Sequence, residues 1–168
     1  MDNNKNKNPL NPNWVGAIFF AIFAFCFLLF TKYVLLSLQQ STVLPFFPAL
    51  LVALITGIFL GAIFTKYLTY PKSWIYAFLI GILMALIATA LISLVIFLNL
   101  YFFEPTFTHR LHHWQDFFIF YGSIFLSLLL IIGLWLMLFT GLAAVYFSKR
   151  FWPALIAIDK AHSKSNHP

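Results

Sequence analysis

Long apolar runs separated by short polar breaks set the pattern of the chain. Lys7 and Lys32 enclose 24 uncharged residues, Lys32 and Lys66 enclose 33, Lys72 and Glu104 enclose 31, and Asp116 and Lys149 enclose 32. A helix needs about 20 apolar residues to cross a hydrocarbon core of ~30 Å. None of these windows is long enough to cross twice with a turn between. The pattern therefore predicts an all-α polytopic membrane protein with four transmembrane helices, neighbours in sequence running antiparallel.

The spans are expected at about 14–38, 43–65, 73–103 and 117–147. Pro45 and Pro48 open the second, where a first turn tolerates proline. The third and fourth, at about 46 Å each if wholly helical, exceed the hydrocarbon thickness. They should tilt, bend or stand proud of it. Residues 1–13 read as a polar tail, 14–148 as the transmembrane domain, and 149–168 as a second tail. The first span reads as an uncleaved signal-anchor, because no small-x-small cleavage pattern follows its apolar run. In the second tail, Trp152, Leu155 and Ile156 recur at helical spacing beside basic residues and around Pro153, the pattern of a short interfacial helix or, equally, of the frayed end of a long fourth span.

Composition narrows the class further. Hydrophobic residues make up 62% and charged residues 8%, against roughly 25% charged in soluble domains. A soluble globule could not cover its surface with so few charges, and a disordered chain needs the opposite balance. The net charge of +6 comes from ten scattered Lys and Arg, with no dense basic patch for nucleic acid.

The placement of those charges predicts orientation. Lys5, Lys7, Lys66, Lys72, Lys149, Arg150, Lys160 and Lys164 fall on one side of a four-span topology, and only Lys32 and Arg110 on the other. Positive residues are retained on the cytoplasmic side, so both termini are expected there, in a plasma or inner membrane. Abundant Phe, Ile, Asn and Lys hint at an AT-rich bacterial source. Trp14, Trp74, Trp114 and Trp152 fall at span ends, where amphipathic rings gather; Trp135 alone lies mid-span.

Membrane helices associate through small residues that let backbones approach. The second span carries Ala53, Gly57, Gly61 and Thr65, four apart and including one GxxxG; the third carries Ala77, Gly81, Ala85, Thr89 and Ser93. Spacing of four keeps each row on one face. A short loop joins these spans, so the two rows are expected to face each other in a tight hairpin. Weaker rows are Ala17 with Ala21 and Ser123 with Ser127.

Candidate chemistry is sparse. The second, third and fourth spans hold no ionisable residue, the usual pointer to a proton relay or substrate site. Lys32 lies near one end of its span, where its amine can snorkel to the headgroups. The outer loop holds Glu104, His109, Arg110, His112, His113 and Asp116. Imidazole and carboxylate are metal ligands, but no HExxH or Cys/His framework is present. His109, Arg110, His112 and His113 therefore read first as a plain solvated loop and otherwise as a partner-binding or pH-sensitive one, rather than as a metal site. Cys26 is single and reads as a small apolar residue. No cofactor or metal is expected.

The expected role is a non-catalytic integral subunit or accessory protein of an inner-membrane assembly, of the secretion, conjugation or immunity type. Its partners would be the lipid bilayer and other membrane proteins or itself. The alternative is a small oligomeric channel or facilitator lined by hydroxyls and glycines; an enzyme using the outer loop stands third.

Overall fold

The computed structural model describes residues 11–35, 46–69, 73–103 and 113–165. Every element in them is helical. Helix α1 (Pro12–Phe30) starts where the Asn11 side chain accepts the Asn13 N–H at 3.0 Å and Pro12 occupies the first turn, both favourable at a helix N-terminus. It runs on through a π-helical turn, Thr31–Leu35. Helix α2 spans Phe46–Leu68 and α3 spans Trp74–Phe103. Ser73 Oγ accepts the Ile75 N–H at 3.2 Å ahead of α3.

The last quarter of the fold is one rod. Helix α4 (Trp114–Leu128) passes through the π-turn Leu129–Gly133 into α5 (Leu134–Tyr146), and through a second π-turn, Phe147–Phe151, into α6 (Trp152–Ser165). Four helical stretches are long and apolar enough to cross a membrane: Pro12–Tyr33, Leu50–Leu68, Trp74–Phe103 and Trp114–Asp159.

The boundary expected near residue 147 does not exist. Pro153 reads in sequence as the start of a separate helix, yet the rod continues through it. A proline inside an α-helix lacks one N–H and presses on the carbonyl four residues back. Here the preceding turn is π-helical, with the Trp152 N–H donating to the Phe147 carbonyl. That wider turn accommodates the proline without ending the helix. At the other end, α4 begins three residues before the expected residue 117, at Trp114. Its start is held by the Asp116 carboxylate, which accepts the His113 backbone N–H at 2.9 Å.

The expected pairing of the two small-residue rows is overturned. A Cβ placed on Gly57 would lie 2.8 Å from the Phe20 carbonyl and 2.9 Å from the Ala24 Cβ, both on α1. One on Gly61 would lie 2.6 Å from the Gly16 carbonyl, again on α1. One on Gly81 would lie 2.6 Å from the Gly141 Cα and from the Thr140 carbonyl, on α5. The row on α2 is thus spent on α1, and the row on α3 on α5. A short loop makes α2 and α3 antiparallel neighbours but does not dictate which face each turns to the other. The tightest approach goes where two small faces match, and α1 (Gly16, Ala17, Ala21, Ala24) and α5 (Thr140, Gly141, Ala144) supply those faces.

The fold is therefore two tight hairpins, α1–α2 and α3 with the α4–α5 rod, joined by large side chains. Phe19 stacks its ring 5.1 Å from Phe147 and 5.0 Å from Phe151, Phe20 lies 6.0 Å from Phe147, and Phe30 lies 5.6 Å from Phe139. Leu60, Leu68, Ala77, Ile80 and Met84 complete the same core between α2 and α3. Phenylalanine rings thus fill the space between α1 and the rod, while α2 and α3 also approach each other directly.

Candidate functional site

Every buried polar side chain among the described residues is a hydroxyl: Thr56, Thr65, Thr89, Thr140, Ser93 and Ser148. Thr65 donates to the Gly61 carbonyl, Thr89 to the Ala85 carbonyl at 2.9 Å, and Ser93 to the Thr89 carbonyl at 2.7 Å. Each closes on its own helix four residues back, as Ser and Thr do where no water is present. These three hydroxyls are buried in the seams between helices. Thr140 Oγ1 and Ser148 Oγ are buried with no hydrogen-bond partner. They lie eight residues apart on α5 and the turn after it, and neither has a base beside it that would make a hydroxyl nucleophilic.

Residues expected to pack helices occupy these seams. Thr65, Ala77, Gly81, Ala85, Thr89 and Ser93 are buried, as is Gly61, whereas Ala53 and Gly57 are half-buried. The α1 face corresponds to the weaker row Ala17 with Ala21, whereas the α5 face was not among the expected rows. Thr140, Ala144 and Ser148 are themselves four apart and buried, a row that the same periodicity test would have found on the last span.

Of the outer-loop group, Glu104, His109, Arg110 and His112 lie outside the described residues. His113 is exposed, and Asp116 is engaged in starting α4. A carboxylate in the first turn also complements the helix dipole, so Asp116 has a structural role. Among the described residues, no three His, Cys, Asp or Glu side chains gather as metal ligands would. Lys32 is exposed, with its amine 5.5 Å from the Tyr33 ring centroid at the end of α1. Cys26 is a free thiol on the outward side of α1.

One outward face stands apart from the apolar girdle. On α4, Gly122, Ser123 and Ser127 are exposed, between exposed Ile119, Leu126 and Leu130. A Cβ on Gly122 would meet nothing within 4 Å. Among the residues of α4 none is buried; the helix is tied to α3 on its inner side by the Tyr121 hydroxyl, which donates to the Ala90 carbonyl at 3.1 Å.

The chain is an integral membrane protein of four packed helices, in contact with the lipid bilayer. No family model, curated protein or solved structure matches it.

Proposed function

We propose that the protein is a non-catalytic integral subunit or accessory factor of a membrane assembly, of the secretion, conjugation or immunity type, in a bacterial inner membrane. The observation that carries this reading is the Gly122–Ser123–Ser127 face. Small residues gain nothing against lipid, but they let a second membrane helix approach closely. The buried small residues of this protein already serve its internal seams, and this exposed group is left to serve another chain. The core hydroxyls support the same reading, since each bonded one is used on its own helix carbonyl.

Affinity purification in mild detergent tests the proposal. A membrane protein should co-purify in fixed ratio with the wild type and be lost from Gly122→Leu and Ser123→Leu, while both variants keep wild-type thermal stability. Purification as a monomer, with no stable companion, would refute it. A defined homo-oligomer that conducts solute in liposomes would favour the channel alternative instead.

The proposed orientation places both chain termini in the cytoplasm. Lys66, Lys149 and Arg150 cluster with Trp14 and Trp74 at one end, and Lys32 lies at the other, the asymmetry expected of positive-inside topology. Reporter fusions after Gln40 and after Arg110 should both report the extracytoplasmic side. A cytoplasmic signal from either reverses the assignment.

A further inference from the structure

The two hairpins are of unequal height. On α1, the amphipathic residues that mark a bilayer surface are Trp14 at one end and Lys32 with Tyr33 at the other. The rise between Trp14 and Lys32 is about 27 Å, close to one hydrocarbon thickness. On α3 the corresponding markers are Trp74 and Tyr101, about 40 Å apart. On the rod they are Tyr146 and Trp114, about 48 Å apart. The only charged residue in either taller stretch is Asp116, in the first turn of the rod beside Trp114.

Ring contacts fix the hairpins at one relative height. Phe19 meets Phe147 and Phe151 near one end of α1, and Phe27 and Phe30 both meet Phe139 near the other. Beyond Phe139 the rod climbs a further 25 residues to Trp114, about 37 Å, whereas on α1 the amphipathic Lys32 and Tyr33 follow within three residues of Phe30. Trp135, half exposed and stacked 6.3 Å from Phe139, lies one turn above that last contact, level with Lys32 and Tyr33. The low rim therefore carries its own amphipathic ring on the rod. The tall rim carries Trp114, 85% exposed, with Phe102, Phe103 and Phe118 all more than 70% exposed beside it.

Tilting cannot equalise the two. Fitting α3 into a ~30 Å core needs a tilt of about 40°, the top of the observed range. The same tilt, imposed on α1 through the ring contacts, would draw Lys32 roughly 10 Å into hydrocarbon. We infer that the protein carries a hydrophobic girdle of two heights, low around α1 and tall around α3 and α4, and that lipid acyl chains drawn up around the tall side cover its surplus. Lipid is the occupant because the surplus ends in Tyr101 and Trp114, the residue types that sit at a lipid headgroup boundary. The bilayer surface around the molecule consequently slopes, and thick bilayers suit the tall side. The inference concerns the chain alone in lipid and does not require the partner proposed for the Gly122, Ser123 and Ser127 face.

Thiol accessibility in proteoliposomes tests it. In a Cys26→Ala background, single cysteines are placed at Leu98 and Phe118 on the tall side, at Tyr33 on the low rim, and at Ile22 within the low side. A membrane-impermeant maleimide is supplied to both faces of dioleoyl phosphatidylcholine vesicles. Leu98→Cys and Phe118→Cys should react as slowly as Ile22→Cys, roughly tenfold or more below Tyr33→Cys, because acyl chains surround them. In short-chain dimyristoleoyl vesicles, Phe118→Cys should become reactive while Ile22→Cys stays protected. Reaction of both tall-side cysteines at the Tyr33→Cys rate in dioleoyl vesicles would place the tip in water and overturn the inference. So would protection that is indifferent to chain length, or protection that disappears on dilution into excess lipid, the signature of a second copy. Ile119→Cys, on the same rim, replaces either tall-side variant that fails to fold.

Discussion

Gly81→Leu is expected to lower the stability of the bundle by about 3 kcal/mol, the upper end of overpacking costs, or to abolish folding. The reason is the nature of the obstacle. A Cβ on Gly81 would meet the Gly141 Cα at 2.6 Å, the Thr140 carbonyl at 2.6 Å and the Gly141 nitrogen at 2.9 Å. All three are backbone atoms, which cannot swing aside as a side chain can. Relief requires α3 and α5 to separate, and separation undoes the packing that stands in for a hydrophobic driving force inside lipid. Gly122→Leu is the internal control. Nothing lies within 4 Å of the added atom, and leucine is the better helix former by up to about 1 kcal/mol. Its stability should be unchanged or slightly raised. Thermal melts of both variants in one mild detergent read the difference, and equal melting temperatures would remove the α3–α5 seam from the account.

Phe147→Ala is expected to cost about 2 kcal/mol, less than the same truncation in a soluble core. Phe147 is fully buried and touches the rings of Phe19, Phe20, Phe151 and Trp152, at centroid distances of 5.1, 6.0, 5.6 and 6.3 Å. In a membrane the unpacked helices remain in lipid, so the transfer component of a truncation largely cancels. What remains is the void and the lost dispersion contacts, on the order of 24 cal/mol per Å³ for the roughly 100 Å³ removed. Phe147→Leu should recover part of the loss by refilling the space. Phe59→Ala, at a position 59% exposed to lipid, should be near neutral. Equilibrium unfolding in mixed micelles measures all three; a cost at Phe59 equal to that at Phe147 would show that ring packing between the hairpins is not what holds them.

Part of this architecture was legible before any coordinates. Four spans follow from charge-free windows, because hydrocarbon tolerates so few charges that their positions bracket each crossing. The Ala, Gly, Thr and Ser rows on α2 and α3 were legible as faces, because spacing of four is a property of one helix alone. Their partners were not. Choosing between α1 and α3 as the partner of Gly57 depends on how two surfaces match; Ala17 and Ala21 stand at spacing four on α1 but form a shorter row than those on α2 and α3. The continuous rod was one of two readings of residues 149–168: Pro153 also suits the start of a separate helix, and nothing in the residues before it announces a π-turn. The unequal heights were partly legible. The third and fourth windows are visibly long, but the height that α1 fixes through Phe27, Phe30 and Phe139 appears only once those rings are seen together.

The central claim is that α2 is spent on α1, and α3 on α5, with phenylalanine between the two pairs. Oxidative cross-linking tests it most directly, in a Cys26→Ala background and in native membranes. Ala24→Cys with Gly57→Cys should close an intramolecular disulfide rapidly: the two Cβ positions lie 2.9 Å apart, and a parting of about 1 Å brings them to the ~3.8 Å that the bond usually spans. Gly57→Cys with Ala85→Cys should stay reduced under the same oxidant, each facing a different hairpin partner. Rapid closure of the Gly57–Ala85 pair, with the Ala24–Gly57 pair left open, would contradict this pairing.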